Sequence, residues 1–278
     1  MLEGILILWF VLTILSLIYV VYDVIKVTPE AGVMKAAWIL VTIYTGPIGL
    51  FFYLVSCKEP IPGTHEKFID KLWKQSLGSE VHCLAGDATG IIAAAIILSF
   101  FEIPRTWEVI IEYIAGFGFG LFIFQALFMK KMMGGTYVKA ITTTFFPELL
   151  SMNMIMAGMI PVMVIWSTHD SLARDPWSLH FWGMMSLATL IGGILAYPMN
   201  QWLVSKGLKH GMTTVRKTEA HSKHAHMEMK PESHEDMGHE GMEHDTSKSS
   251  VKLLYKPLWI SIVSLAIGII IAIIGHYI

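Results

Sequence analysis

TTFFPELLSMNMIMAGMIPVMVIW, residues 143–166, decides the fold. The run carries a single charge, Glu148, and at about 1.5 Å per residue it is long enough to cross a hydrocarbon core of about 30 Å. Comparable runs recur at about 3–22, 36–56, 81–101, 107–129, 178–204 and 257–277, which makes seven. The 278 residues are 54% hydrophobic and 15% charged, less charge than a soluble domain carries. These features predict an all-α, polytopic membrane bundle of seven transmembrane helices with the lipid bilayer as its surroundings, in the plasma or inner membrane. Two cysteines, Cys57 and Cys83, make no disulfide framework. The N-terminus has Glu3, no basic start and an overlong apolar stretch, so it reads as a first span and not a cleavable signal.

The spans divide the chain. Residues 1–56 hold two helices, 57–79 a polar connection, 80–208 a four-helix core, 209–250 a long loop and 251–278 a last helix. Lysine and arginine fall unevenly between the two sets of loops, sixteen on one side against Lys26, Lys35, Arg105 and Arg174 on the other. The positive-inside rule then places the N-terminus in the cytoplasm and the C-terminus outside. Within the connection, HEKFIDKLWKQSL at 65–77 predicts an interfacial helix, with Phe68, Ile69, Leu72, Trp73 and Leu77 on one face and Lys67, Asp70, Lys71 and Lys74 on the other.

In the quoted span, Glu148, Met152, Met156, Met159 and Met163 are spaced 4, 4, 3 and 4 apart. At ~100° per residue they occupy an arc of about 80° over roughly 22 Å. Neutral thioethers bind Cu(I) without burying charge, so the stripe is a candidate path for a soft cation. Methionine is also an adaptable core filler, and the stripe reads equally as packing. Pro147 suits the first turn of this helix and Pro161 a kink near its outer end.

Span three opens with Glu80, His82, Cys83, Gly86, Asp87 and Gly90. Cys83, Asp87 and Gly90 share a face, whereas His82 lies about 140° from Asp87. An acid at that depth needs a partner, so His82, Cys83 and Asp87 are candidate ligands, against the reading of a small buried thiol and an interfacial histidine. Met199 and Asn200 in span six fall at the same depth as Glu148, so spans three, five and six are able to share a site. His180 with Met184 is a weaker outer candidate. Glu112 and Gln125 in span four are intramembrane polar groups, and Gly116, Gly118 and Gly120 between them indicate close helix packing.

The loop HGMTTVRKTEAHSKHAHMEMKPESHEDMGHEGMEHD, residues 210–245, holds seven His, five Met and no Cys. It has no apolar period and reads as disordered. Its candidate ligands are His210, His221, His224, His226, Met227, Met229, His234, Met237, His239, Met242 and His244. Thioether selects Cu(I), and imidazole accepts copper, zinc and nickel. The loop lysines place this buffer in the cytoplasm, although a thiol-free Met/His loop suits an extracytoplasmic site better. The bland alternative is a polar linker that happens to be rich in histidine.

From about 75 to 215 the chain resembles the uncharacterised membrane family catalogued as domain of unknown function 4396. Three stretches carry the resemblance: His82-Cys83 with Gly86-Asp87; Ser151 with Gly158-Met159; and Pro198-Met199-Asn200-x-Trp202-Leu203 running into Gly207-x-Lys209-x-Gly211-Met212. The resemblance implies a membrane fold and no established reaction.

No P-loop, HExxH, CxxCH or Ser/His/Asp constellation is present, and no basic aromatic patch suggests nucleic acid. No enzyme signature therefore emerges. The expectation is a membrane protein that handles a transition metal, copper as Cu(I) before zinc or nickel. It would act as a permease or as a delivery factor to a membrane cuproenzyme or a second copy of itself. The alternative is a sensor or accessory subunit without flux, and a third reading is a redox enzyme using Cys83 or bound copper.

Overall fold

The fold is given by a computed structural model that describes residues 1–126, 136–212 and 246–278, with the backbone alone for 246–254. Every described regular element is helical. They are α1 (Leu2–Lys26), α2 (Gly32–Thr45), α3 (Pro47–Ser56), α4 (His65–Ile69), α5 (Leu72–Leu98), α6 (Arg105–Phe119) with a π-helical turn Gly120–Gln125, α7 (Tyr137–His169), a 3-10 turn Ser171–Arg174, α8 (Leu179–Ser205) and α9 (Thr246–Tyr277). The chain is a membrane helical bundle. Six helices are long and apolar enough to cross a bilayer: α1, α5, α6 with its π turn, α7, α8 and the part of α9 from Tyr255. The central three, α5, α7 and α8, are mostly buried, while α1, α6 and α9 present apolar faces outward.

Seven spans were expected, and the difference lies at residues 32–56. The run that reads as span two is broken at Gly46, which sits at φ +58°, ψ −133°, and Pro47 then starts a new helix. α2 and α3 fold back on each other as a hairpin. The Trp38 and Tyr53 rings meet edge to face at 5.4 Å, and a Cβ on Gly49 would lie 3.1 Å from the Thr42 Cα. The tip at Gly46 abuts Trp9 and Thr13, halfway along α1. Both ends of the hairpin return to the C-terminal end of α1. There the Asp23 carboxylate accepts from Tyr53 Oη and from Thr28 Oγ1 (3.0 Å), and pairs with Lys58 at 2.8 Å. The hydrogen bond to Asp23, followed by that to Tyr19, holds the Lys58 ammonium above its ordinary range. The hairpin thus enters and leaves the bundle at one end. Every described lysine lies at that end, which we call the basic end; Arg105 and Arg174 lie at the other. The N-terminus falls opposite the lysine-rich loops, not with them as seven spans required. Lys26 and Lys35 consequently join the lysines they were counted against.

Helices approach closely where side chains are small. α5 and α6 cross at Gly90 on Gly116 and at Gly86 on Gly120, and α7 meets α8 at Gly158 on Gly192. α9 packs Gly268 against the Ala157 carbonyl of α7. Pro161 has no N–H to offer that carbonyl, so the proline opens the surface that Gly268 covers. α7 starts ten residues before Pro147, where Thr136 Oγ1 accepts from the Lys139 N–H at 3.3 Å, so Pro147 lies inside the helix and not in its first turn. The predicted interfacial helix is also divided: α4 ends at Ile69, and α5 begins at Leu72. Lys74, assigned to the wet face, is buried with its ammonium over the Phe68 ring.

At the opposite end Asp170 caps the 3-10 turn, accepting from the Leu172 N–H at 3.1 Å, and pairs with His180. The hydrogen bond from His180 holds the Asp170 carboxyl below its ordinary value. A lowered folded pKa means that this contact stabilises the turn above the ordinary aspartate pKa and is lost as pH falls through the depressed value. Hydrogen exchange at Leu172 is therefore expected to stay slow at mildly acidic pH and to accelerate only below the ordinary aspartate range.

Candidate functional site

The centre of the bundle, toward the basic end, holds a polar network drawn from α5, α6, α7, α8 and the segment after α8. Cys83 and Asp87 face inward one turn apart on α5, and both are buried. Glu148 on α7 meets them, with Cys83 Sγ 3.4 Å from Glu148 Oε2. The π-helical turn that ends α6 brings in Gln125, whose Nε2 donates to Glu148 Oε2 at 2.9 Å and to Cys83 Sγ at 3.1 Å. Insertions of this kind redirect side chains and recur at functional sites. Asn200 of α8 donates to Ser151 Oγ at 2.8 Å and to Glu80 Oε2.

The cation of the network comes from outside the spans. α8 ends in a Schellman-type cap, with the Gly207 N–H on the Val204 carbonyl and the Leu208 N–H on the Leu203 carbonyl at 2.9 Å. Gly207 takes φ +68°, which suits a residue without Cβ. The cap turns the chain back into the bundle. Lys209 Nζ then donates to Cys83 Sγ at 2.8 Å, Asn200 Oδ1 at 3.0 Å and Glu148 Oε2 at 3.1 Å, and the side chain is buried. The next residues close the site: Gly211 lies against Gln75, and Met212 against Gly78.

Asp87 and Glu148 converge on one point. A Cβ on Gly120 would collide with Asp87 Oδ1 and lie 2.8 Å from Glu148 Oε1, so the missing side chain is what lets the two carboxyls meet. Neither Asp87 oxygen nor Glu148 Oε1 has a hydrogen-bond donor among the described residues. Glu80, Asp87 and Glu148 face one ammonium. Buried charges of one sign need a counter-charge or a proton, so this arrangement has the chemistry to hold a proton or a cation beside Lys209.

The structure brings Cys83, Asp87 and Glu148 together. The His82 ring lies edge-on to Phe124 at 5.6 Å, within reach of the charges of Glu148 and Lys209. Met152, Met156, Met159 and Met163 are fully buried in the hydrophobic core. Met152 Cε lies against Gly116 beside the Asp87 carbonyl, and Met159 lies against Gly192. The thioether row begins one helical turn after Glu148, with Met152 beside the Asp87 backbone carbonyl, and follows α7 toward the opposite end. Met199 turns away from the site, packing with Leu150 and Leu203 and lining a groove of about 480 Å³ with Met154 and Trp202. His180 pairs with Asp170, whereas Met184 lines a separate cavity of about 470 Å³ at the opposite end with Glu102, Arg105, Glu108 and Glu112. Glu112 is buried there, and its Oε2 has no hydrogen-bond partner among the described residues. His210 is exposed at the start of the His/Met loop. His221, His224, His226, Met227, Met229, His234, Met237, His239, Met242 and His244 lie outside the described residues.

Sequence reading missed Lys209 as a site residue, counting it as a loop flank. The only signal was its place in Gly207-x-Lys209, two residues past a helix-ending glycine. It also gave Gln125 and Glu80 no role, and read Gly120 as packing alone.

Residues 72–209 match the model of the family described as Domain of unknown function (DUF4396). No curated protein and no solved structure matches. The matched segment runs from the start of α5 to Lys209, so every member of the network from Glu80 onward lies within it. α1 to α4 and α9 lie outside.

Proposed function

We propose, from the premise that this chain belongs to the DUF4396 family through residues 72–209, that it is a permease or delivery factor for a soft transition-metal ion, Cu(I), in the plasma or inner membrane. The observation that carries the reading is the Asp87–Glu148 pair facing across Gly120 with Lys209 as its ammonium. Lys209 stands where a cargo ion would stand, on Glu148 and on the Cys83 sulfur. A Cu(I) ion arriving at Cys83 and Met152 would replace it, leaving Asp87 and Glu148 to balance the charge. The thioethers of Met152 to Met163 continue from that point. The cavity with Glu112 and Met184 is the matching opening at the opposite end. The positive-inside rule places the basic end, and with it the His/Met loop, in the cytoplasm and the N-terminus outside.

The second reading, a sensor or accessory subunit, is favoured by one feature: Lys209 is followed directly by His210 and the metal-ligand loop. Metal held on the loop would pull on the residue that holds the site, with no ion passing through.

Uptake of Cu(I) into proteoliposomes, kept reduced and measured as metal per chain, tests both. A permease gives uptake that falls at least about tenfold in Glu148→Gln and in the double variant Met152→Leu with Met156→Leu, and that persists when 213–245 are deleted. Unchanged uptake in the folded double variant would sink the thioether path. Wild-type protein that binds Cu(I) but moves none supports the sensor.

A further inference from the structure

A second group of metal-ligating side chains lies at the mouth of the hairpin, outside the matched segment. It draws on three separate pieces of chain: Glu30 in the α1–α2 connection, Cys57 just after α3 and His65 at the start of α4. All three are buried, Cys57 and His65 completely. One ligand atom from each lies within 4.8 Å of the other two, and His65 Nε2 is 3.8 Å from Glu30 Oε1. Tetrahedral coordination with bonds of about 2.0–2.3 Å sets ligands roughly 3.3–3.8 Å apart, so small side-chain rotations bring the three onto one ion. Cys57 is a free thiol. The frame around the group is already fixed, since Asp23 ties together Thr28 of the α1–α2 connection, Tyr53 of α3 and Lys58 of the α3–α4 connection.

We infer that Glu30, Cys57 and His65 form a binding site for a divalent ion of the zinc class, which fastens both ends of the hairpin to α4. One sulfur, one imidazole nitrogen and one carboxylate oxygen are a zinc donor set with a fourth position left for water. Cu(I) selects sulfur and gains little from a carboxylate, so this site differs in chemistry from the proposed cargo site and stands independently of it. The ion adds a link from the two ends of the hairpin to α4 beside the Asp23 network, and its removal loosens α4 from the hairpin base.

Co(II) is the probe, added anaerobically to the purified full-length chain in detergent. The readout is the thiolate-to-cobalt charge-transfer absorption in the near ultraviolet, which histidines and methionines of the 210–245 loop cannot produce. Cys57 and Cys83 are the only thiols, so Cys83→Ser isolates the site. The expected result is one equivalent of thiolate-bound Co(II) in Cys83→Ser, displaced by Zn(II) and lost when Cys57→Ser is added. On the Cys83→Ser background, His65→Gln and Glu30→Gln keep side-chain volume and should each weaken binding at least about tenfold, which carries the test if Cys57→Ser does not fold. A band that is missing from folded Cys83→Ser, or that on that background is unaffected by both volume-conserving variants, overturns the site.

Discussion

Lys209→Met destabilises the bundle by about 3–5 kcal/mol, and adding Glu148→Gln recovers most of the loss, because removing one partner of a buried ion pair leaves the other charge uncompensated. The magnitude follows from the surroundings. Lys209 donates to Glu148, Cys83 and Asn200 from a buried position, with Asp87 close by and lacking a donor of its own. Methionine fills a similar volume without the ammonium, so a lost charge is tested and not a cavity. Glutamine at 148 removes the stranded carboxylate and keeps a side chain of the same length. The measurement is thermal or denaturant unfolding of the detergent-purified protein for the two single variants and the double. Strong coupling, with the double variant near wild type, is the expected outcome. Additive losses would show that Lys209 acts only as a packing group.

Gly46→Ala is expected to cost about 3 kcal/mol or more and to open the hairpin. Two effects combine. The backbone at φ +58°, ψ −133° is one that L-residues rarely adopt, a strain of about 1–3 kcal/mol. A Cβ there would also collide with Thr13 Oγ1 and press on the Trp9 ring at 3.2 Å, an overpacking cost of about 1–3 kcal/mol. Thr13→Ala on the same chain relieves the collision and leaves the strain, so it should restore part of the stability. Opening is read independently by maleimide labelling of Cys57, which is completely buried at the mouth of the hairpin. A folded Gly46→Ala protein with wild-type stability and a still-protected Cys57 would show that the chain does not turn back at this position.

The two variants mark where sequence reading stops. Residues 36–56 are apolar for long enough to span, and hydropathy alone gives them a span. Only Gly46-Pro47 hints at a turn, and that pair also occurs in kinked helices. What decides for a hairpin is that Asp23, Thr28, Tyr53 and Lys58 find one another at its base, contacts up to 35 residues apart that no local pattern encodes. The same change reverses the end of the bundle at which the N-terminus lies. Cys83, Asp87 and Glu148 were legible because an ionisable group inside an apolar run is costly and conspicuous. Lys209 was not, because a lysine after a span is what membrane flanks ordinarily contain. Glu30, Cys57 and His65 carry no spacing signal at all.

The sequence by itself determined the class of the molecule. Long apolar runs in which every backbone group must be satisfied internally leave helices as the solution, and glycines at helical spacing set where those helices approach. Tertiary structure alone decided which polar groups meet: that Gly207 turns Lys209 back onto Glu148, that Gly120 leaves room for two carboxyls, and that the hairpin gathers a cysteine, a histidine and a glutamate at its mouth. The reason is physical. Burial of apolar surface depends on composition summed along a run and can be read locally. Pairing of buried charges depends on a few ångströms between residues far apart in the chain, and only the packed bundle fixes those distances.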